Sequence, residues 1–163
     1  MNLKEYKWVQ ENRESLLDFC SELKPNDFTR ELDGFGFQSV RDSLIHVADC
    51  YIAWIGSFIL LKTKKPITPK QDVVNLSIED IRLRFEQADL FVKELMEMTT
   101  EQMYEPIVKK IPWREAGDEI SLTPMKLLIH TITHEYHHKG QIVAMARKMG
   151  YVPPNTDVIG TKD

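Results

Sequence analysis

The chain has little that would bind it covalently: two cysteines, Cys20 and Cys50, in 163 residues. Neither has a C-x-x-C partner or belongs to the even framework of a small secreted fold, so a disulfide scaffold and a cysteine-rich zinc ribbon are excluded. Buried, reduced thiols are expected instead. Glycine is scarce as well, at seven residues, which rules out a fibrous or low-complexity chain. Positive charge is not in excess: 21 Lys and Arg stand against 25 Asp and Glu, a net charge of −4. Nucleic-acid binding draws its affinity from clustered Lys and Arg that neutralise phosphates, so no nucleic-acid partner is expected. The nearest thing to a basic cluster, Lys62, Lys64 and Lys65, follows an apolar run and reads as the exposed C-terminal turn of a helix. Long hydrophobic runs are missing too. Cys50 to Leu61 is interrupted by Gly56 and Ser57 and falls short of the roughly 20 residues that a membrane span needs. Met1 to Glu14 holds no apolar core of a secretory signal. A cytoplasmic protein without a membrane partner is the expectation.

What the chain does have is the composition of an ordinary globular domain, 42% hydrophobic and 28% charged, and one domain over residues 1–163 is expected. Four helical segments follow from periodicity and capping. The first runs from about Leu3 to Leu23, with Tyr6, Val9, Leu16, Leu17, Phe19 and Leu23 near helical spacing. It stops at Lys24-Pro25-Asn26-Asp27, a turn signal. Ser39, with Asp42 three residues on, caps the second, which is apolar on nearly every face from Val40 to Phe58. Such a helix must be covered by its neighbours or by a second subunit, and a homodimer is expected. Ser77 and Asp80 cap the third, with Ile81, Phe85, Ala88, Phe91, Val92, Leu95 and Met98 as its stripe. Thr123-Pro124 opens the fourth and Gly150 closes it. Between the third and fourth, Ile107-Val108 and Ile120 surround a turn-rich centre and suggest a short hairpin or irregular excursion. The fold class predicted is all-α: an antiparallel four-helix bundle with a crossover and that excursion before helix four, and a tail from Pro153 draped over the body.

Four of the five histidines, His130, His134, His137 and His138, fall within nine residues of the fourth helix. Residues four apart face the same way, about 6 Å along the axis, so two imidazoles at that spacing can converge on one ion with bonds of about 2.1 Å. His134 with His138 satisfies this, as does His130 with His134. The outer pair, about 12 Å apart along the axis, cannot share an ion. A third ligand must come from elsewhere, and the remaining histidine is His46, set in the most apolar helix, where an imidazole needs a polar partner to offset desolvation. One divalent ion on His46, His134 and His138 accounts for both observations. His137 points about 100° away from His138 and belongs to the surface or to an outer layer. The competing reading is a set of hydrogen-bonded core histidines with no ion.

His134-Glu135-Tyr136-His137-His138 also matches H-E-x-x-H, in which two histidines bind zinc and the Glu is a general base. Its extended form would place Gly at 141 and His at 144, where this chain has Gln141 and Ala144. The alternative that takes a Glu from a later helix fails too, because the thirteen residues after Gly150 contain no Glu. A protease is the lesser reading.

The stretch Phe37-Gln38-Ser39-Val40-Arg41-Asp42-Ser43-Leu44-Ile45-His46 leading to Trp54, the run from His134 to Ile142, and Pro153, Pro154 and Asp157 in the tail resemble the DinB/YfiT-like superfamily of metal-binding four-helix bundles. The resemblance covers nearly the whole chain. It implies a facial site made by the histidines at 46, 134 and 138 with water completing the shell, an acidic residue at the position of Asp49, and Lys139 where many members carry Arg. It also implies chemistry of the kind found in relatives that are thiol-dependent transferases and isomerases using low-molecular-weight thiols.

Three neutral histidines leave an ion its full charge, a setting that lowers the pKa of a bound water or thiol. The leading expectation is a metal-dependent transferase that activates a low-molecular-weight thiol for attack on a small electrophile, with Tyr51 or Glu135 as candidate catalytic, proton-handling groups. The alternatives are a metal-assisted hydrolase of small molecules and a non-enzymatic metal-binding or structural protein. Imidazole ligands suit zinc and nickel, and also iron.

Overall fold

The structure is a computed structural model and describes residues 1–162. It is mostly helical, with one small two-stranded sheet. Two compact units are present, Met1–Leu44 with Glu135–Asp163, and Ile45–His134.

In the first unit, α1 (Leu3–Ser21) opens on a capping box. Asn2 Oδ1 accepts from the backbone N–H of Lys4 and Glu5, and the Glu5 carboxylate accepts from the Asn2 N–H at 2.8 Å. These bonds satisfy donors that a helix start leaves without partners. Its buried face carries Tyr6, Val9, Leu16, Leu17 and Cys20, and also the polar Asn12 and Arg13. The turn expected at Pro25-Asn26-Asp27 is instead a one-turn helix, α2 (Pro25–Phe28). Proline suits that first helical position because its missing N–H would have no partner there anyway. After Gly150, whose φ of 91° ends the last helix, Tyr151 donates to Asp27 Oδ2 at 2.7 Å and packs edge-on against Phe19. The tail then lies along α1: the Thr156 carbonyl accepts from Asn12 Nδ2 at 2.6 Å.

Helix α3 (Val40–Tyr51) passes into the second unit. Ser39 caps it, its hydroxyl accepting from the Asp42 N–H at 3.1 Å. The sequence reads as a single helix to Leu61, but from Ile52 to Ile59 the backbone takes π geometry, closed by Leu60 N–H to Ile55 O at 3.0 Å. Gly56 sits in this stretch against Phe91 of α5 (Ile78–Leu95): a Cβ at 56 would stand 2.5 Å from two Phe91 ring carbons. Leu61, with φ of 58°, ends the segment, so Lys62, Lys64 and Lys65 follow the helix rather than forming its last turn. Along α3 and the π stretch, Val40, Ala48, Tyr51, Ile55 and Phe58 are fully buried.

A single-turn helix, α4 (Lys70–Val73), precedes α5, which starts on the expected Ser77–Asp80 capping box. The excursion contains α6 (Thr100–Tyr104), not foreseen from the sequence, although Thr99 and Gln102 form a capping box of their own. The hairpin is real: β1 (Ile107–Lys109) pairs antiparallel with β2 (Ile120–Leu122), Val108 opposite Ser121. Helix α7 (Pro124–Lys148) begins after Thr123, whose hydroxyl accepts from the Lys126 N–H at 3.2 Å. Among the described residues no helix is long and apolar enough to cross a membrane.

Candidate metal centre

Helix α3 supplies His46 and α7 supplies His134 and His138. His46 Nε2 and His134 Nε2 face each other at 3.1 Å, although 88 positions separate them. Two nitrogens bonded to one ion at about 2.1 Å stand about 3.0 Å apart at a right angle and about 3.4 Å apart at a tetrahedral one. The observed separation lies in that interval. His138 follows one turn along the unbroken α7, and one ligand atom from each of the three rings lies within 4.8 Å of the other two.

The third ring is aimed by its neighbours. His138 Nδ1 donates to Gln141 Oε1 at 2.9 Å, while the Gln141 amide nitrogen donates to His137 Nε2 at 3.1 Å. This two-sided amide bond fixes the glutamine's orientation and holds the proton of His138 on Nδ1, which leaves Nε2 with its lone pair. Phe37 packs edge-on to the His138 ring at 5.6 Å between centroids. Burial pushes the His138 imidazole below the usual histidine pKa; the Gln141 bond opposes that shift and the nearby His137 adds to it. A neutral imidazole is the form a cation requires. Three nitrogen donors on two helices, one of them with its tautomer set by a side-chain bond, fit a divalent ion. His130, the alternative partner of His134 in the sequence, tilts against the His134 ring at 5.4 Å and also lies beside Cys50, with Sγ and Nε2 3.8 Å apart.

Comparison with known proteins adds to this geometry. The profile of the DinB family matches residues 1–163. The chain belongs to the DinB family. It is 23% identical over 165 residues to the uncharacterized protein YizA of Bacillus subtilis strain 168, covering 98% of this chain and 94% of YizA. It is 26% identical over 154 residues to protein DinB of the same organism, covering 88% of this chain and 83% of that one.

In this DinB-family chain Glu135, which follows His134 on α7, is held in a buried ion pair. Both carboxylate oxygens of Glu135 accept from Arg13: Nε to Oε1 at 2.9 Å and Nη2 to Oε2 at 3.0 Å. Arg13 Nη2 also donates to Tyr6 Oη at 3.1 Å, and Arg13 and Glu135 are 2% and 7% exposed. The guanidinium thus holds the Glu135 carboxylate at both oxygens, a two-point charge-assisted contact that fixes its orientation. Tyr51, the other catalytic candidate, is fully buried at the end of α3.

Lys139 is likewise committed elsewhere. Its ammonium donates to Asn12 Oδ1 at 2.9 Å and to the Thr156 carbonyl, and lies over the Tyr136 ring. Desolvation lowers its pKa, while Asp157 and Glu135 raise it. Asp49 accepts from the Thr68 N–H and hydroxyl at 2.7 and 2.9 Å and from Arg84 Nε at 2.6 Å, and so anchors the loop after the π stretch. Arg13 and Gln141 are the functional neighbours that sequence reasoning missed. Arg13 carried a signal, a charge on the apolar stripe of α1. Gln141 stands three residues after His138, on the same helical face.

Proposed function

We propose that this DinB-family protein holds one divalent metal ion, zinc or nickel, on His46, His134 and His138 and uses it to transfer a low-molecular-weight thiol onto a small electrophile. The four long helical stretches (α1, α3 with its π extension, α5 and α7) are read as the helices of an antiparallel bundle carrying the site. The observation that supports the reading is the 3.1 Å approach of His46 Nε2 to His134 Nε2 with the His138 ring in the same group. A divalent ion held there supplies positive charge that lowers the pKa of a ligated thiol or water. The chain's own residues do the rest. Three imidazoles hold the cation without cancelling its charge, Gln141 orients His138, and Arg13 with Glu135 keeps the α7 turn between the two histidines in place.

In the transfer, a sulfur–carbon bond forms as the leaving group departs with its electron pair, and the thiol proton goes to solvent. The test is metal content per chain in protein purified without chelator or metal-affinity tag, together with turnover of an activated aryl halide in the presence of a simple thiol. About one ion per chain in wild type, with metal and thiol-dependent rate both lost in His46→Ala, is expected. Normal turnover by metal-free protein would overturn the reading. Equal ester turnover with and without thiol would replace transfer by hydrolysis.

A further inference from the structure

Helices α3 and α7 bring together a second pair of donors that the three-histidine group does not use. His46 and Cys50 are four residues apart on α3; His134 and His130 are four apart on α7. The two helices face each other in antiparallel register, so that His46 meets His134 and, one turn on, Cys50 meets His130. The second pairing joins a sulfur and an imidazole nitrogen at 3.8 Å.

That distance has chemical content. With metal–sulfur and metal–nitrogen bonds of about 2.3 and 2.1 Å, a shared ion at a tetrahedral angle puts the two donors about 3.6 Å apart. The ring is packed on two sides: Trp54, a further turn along, presents an edge-on contact to His130 at 5.9 Å, and His130 tilts against His134 at 5.4 Å. His130 is exposed, whereas Cys50 is buried behind it. The imidazole is thus the donor that solvent reaches first. Cys20, a buried free thiol on α1 away from the α3 and α7 pair, serves as an internal comparison.

We propose that Cys50 and His130 form a second cation position, one helical turn from the three-histidine group, which takes a thiophilic divalent ion with water completing its shell. Binding forms a sulfur–metal and a nitrogen–metal bond and releases the thiol proton to solvent; no oxidant is needed. A displacement of one turn, about 6 Å, is longer than the 3.5–4 Å of a bridged two-metal centre, so the position is a separate subsite. A thiolate ligand makes it selective for soft ions, unlike the all-imidazole group beside it.

The experiment is a cadmium titration of the full chain, followed by ultraviolet thiolate-to-metal charge-transfer absorption and by cadmium-113 NMR. Wild type and Cys20→Ser are expected to show the charge-transfer band and a sulfur-shifted resonance; Cys50→Ser is expected to show neither. His130→Ala, at an exposed position that tolerates truncation, is expected to raise the cadmium concentration at half-saturation of the band tenfold or more. His46→Ala removes the three-histidine site and is expected to leave the band intact, which separates this proposal from the reading of that site. No thiolate band in wild type, a band that persists in Cys50→Ser, or unchanged half-saturation in His130→Ala would each overturn it.

Discussion

Arg13 grips both oxygens of Glu135, the residue that lies between metal-ligand candidates His134 and His138 on α7. The pair is nearly fully buried, at 2% and 9% side-chain exposure, so its two charges are held in a medium where each needs the other. Removing Arg13 alone takes away the guanidinium that both Glu135 oxygens accept from. Arg13→Ala is expected to lower unfolding free energy by about 3–5 kcal/mol in denaturant melts. Replacing both partners by apolar residues of similar size, Arg13→Met with Glu135→Leu, should recover most of that loss. A single and a double variant that are equally destabilised would show that the pair's role is not electrostatic.

Gln141 offers a cleaner handle on the metal group, because it orients a ligand without being one. Gln141→Ala is expected to weaken metal binding by about 10–100-fold in competition with a chelating dye, with little change in melting temperature. Gln141→Glu keeps the oxygen that accepts from His138 Nδ1 and should bind metal close to wild type. Equal weakening by both substitutions would mean that the acceptor atom is not what matters.

The start of α5 gives a pH dependence whose sign is fixed. The Ser77 hydroxyl and backbone N–H both donate to Asp80 Oδ2, at 2.6 and 2.9 Å, and these bonds hold the carboxyl below its ordinary value of 3.8. A carboxyl with a folded pKa below its unfolded one favours the folded state above the unfolded pKa, and that contribution disappears as pH falls through the folded value. The α5 cap is therefore expected to be intact at neutral pH and to weaken below about pH 4. NMR titration of the Asp80 carboxyl in wild type and Ser77→Ala should show the pKa moving up in the variant; an unmoved titration would discard the capping account.

Gly56→Ala tests the fit of the π stretch. The added methyl would stand 2.5 Å from the Phe91 ring, and the ring must shift to admit it. A loss of about 1–3 kcal/mol is expected in denaturant unfolding, partly rescued by Phe91→Leu. Unchanged stability would mean that the Phe91 ring relaxes freely.

Local signals carried most of what was legible in the sequence. Ser77 with Asp80 and Thr123 with Pro124 announce helix starts because capping is decided within four residues, and Ile107-Val108 and Ile120 flagged the hairpin by their β-branched character. His46 was found by elimination, as the one histidine outside α7. Contacts between distant segments were not legible. Arg13 and Glu135 lie 122 positions apart, so nothing local in the sequence marked the ion pair that holds this carboxylate. Helix α6 was missed although Thr99 and Gln102 spell a capping box, because the following residues carry no long apolar stripe. The π geometry of Ile52–Ile59 leaves no periodic trace in a segment that is apolar on every side.

That stretch has a consequence for how a change in chain length would be absorbed here. A π turn accommodates one more residue than an α turn. It lies after His46 and Cys50, so both side chains have their direction set before the helical phase changes. A relative one residue shorter between Ile52 and Ile59 can tighten the turn to ordinary α geometry and leave everything upstream where it was. The wide turn is a slack link for the residues before it, whereas Trp54 within it would carry a change of phase to the His130 ring that it packs against.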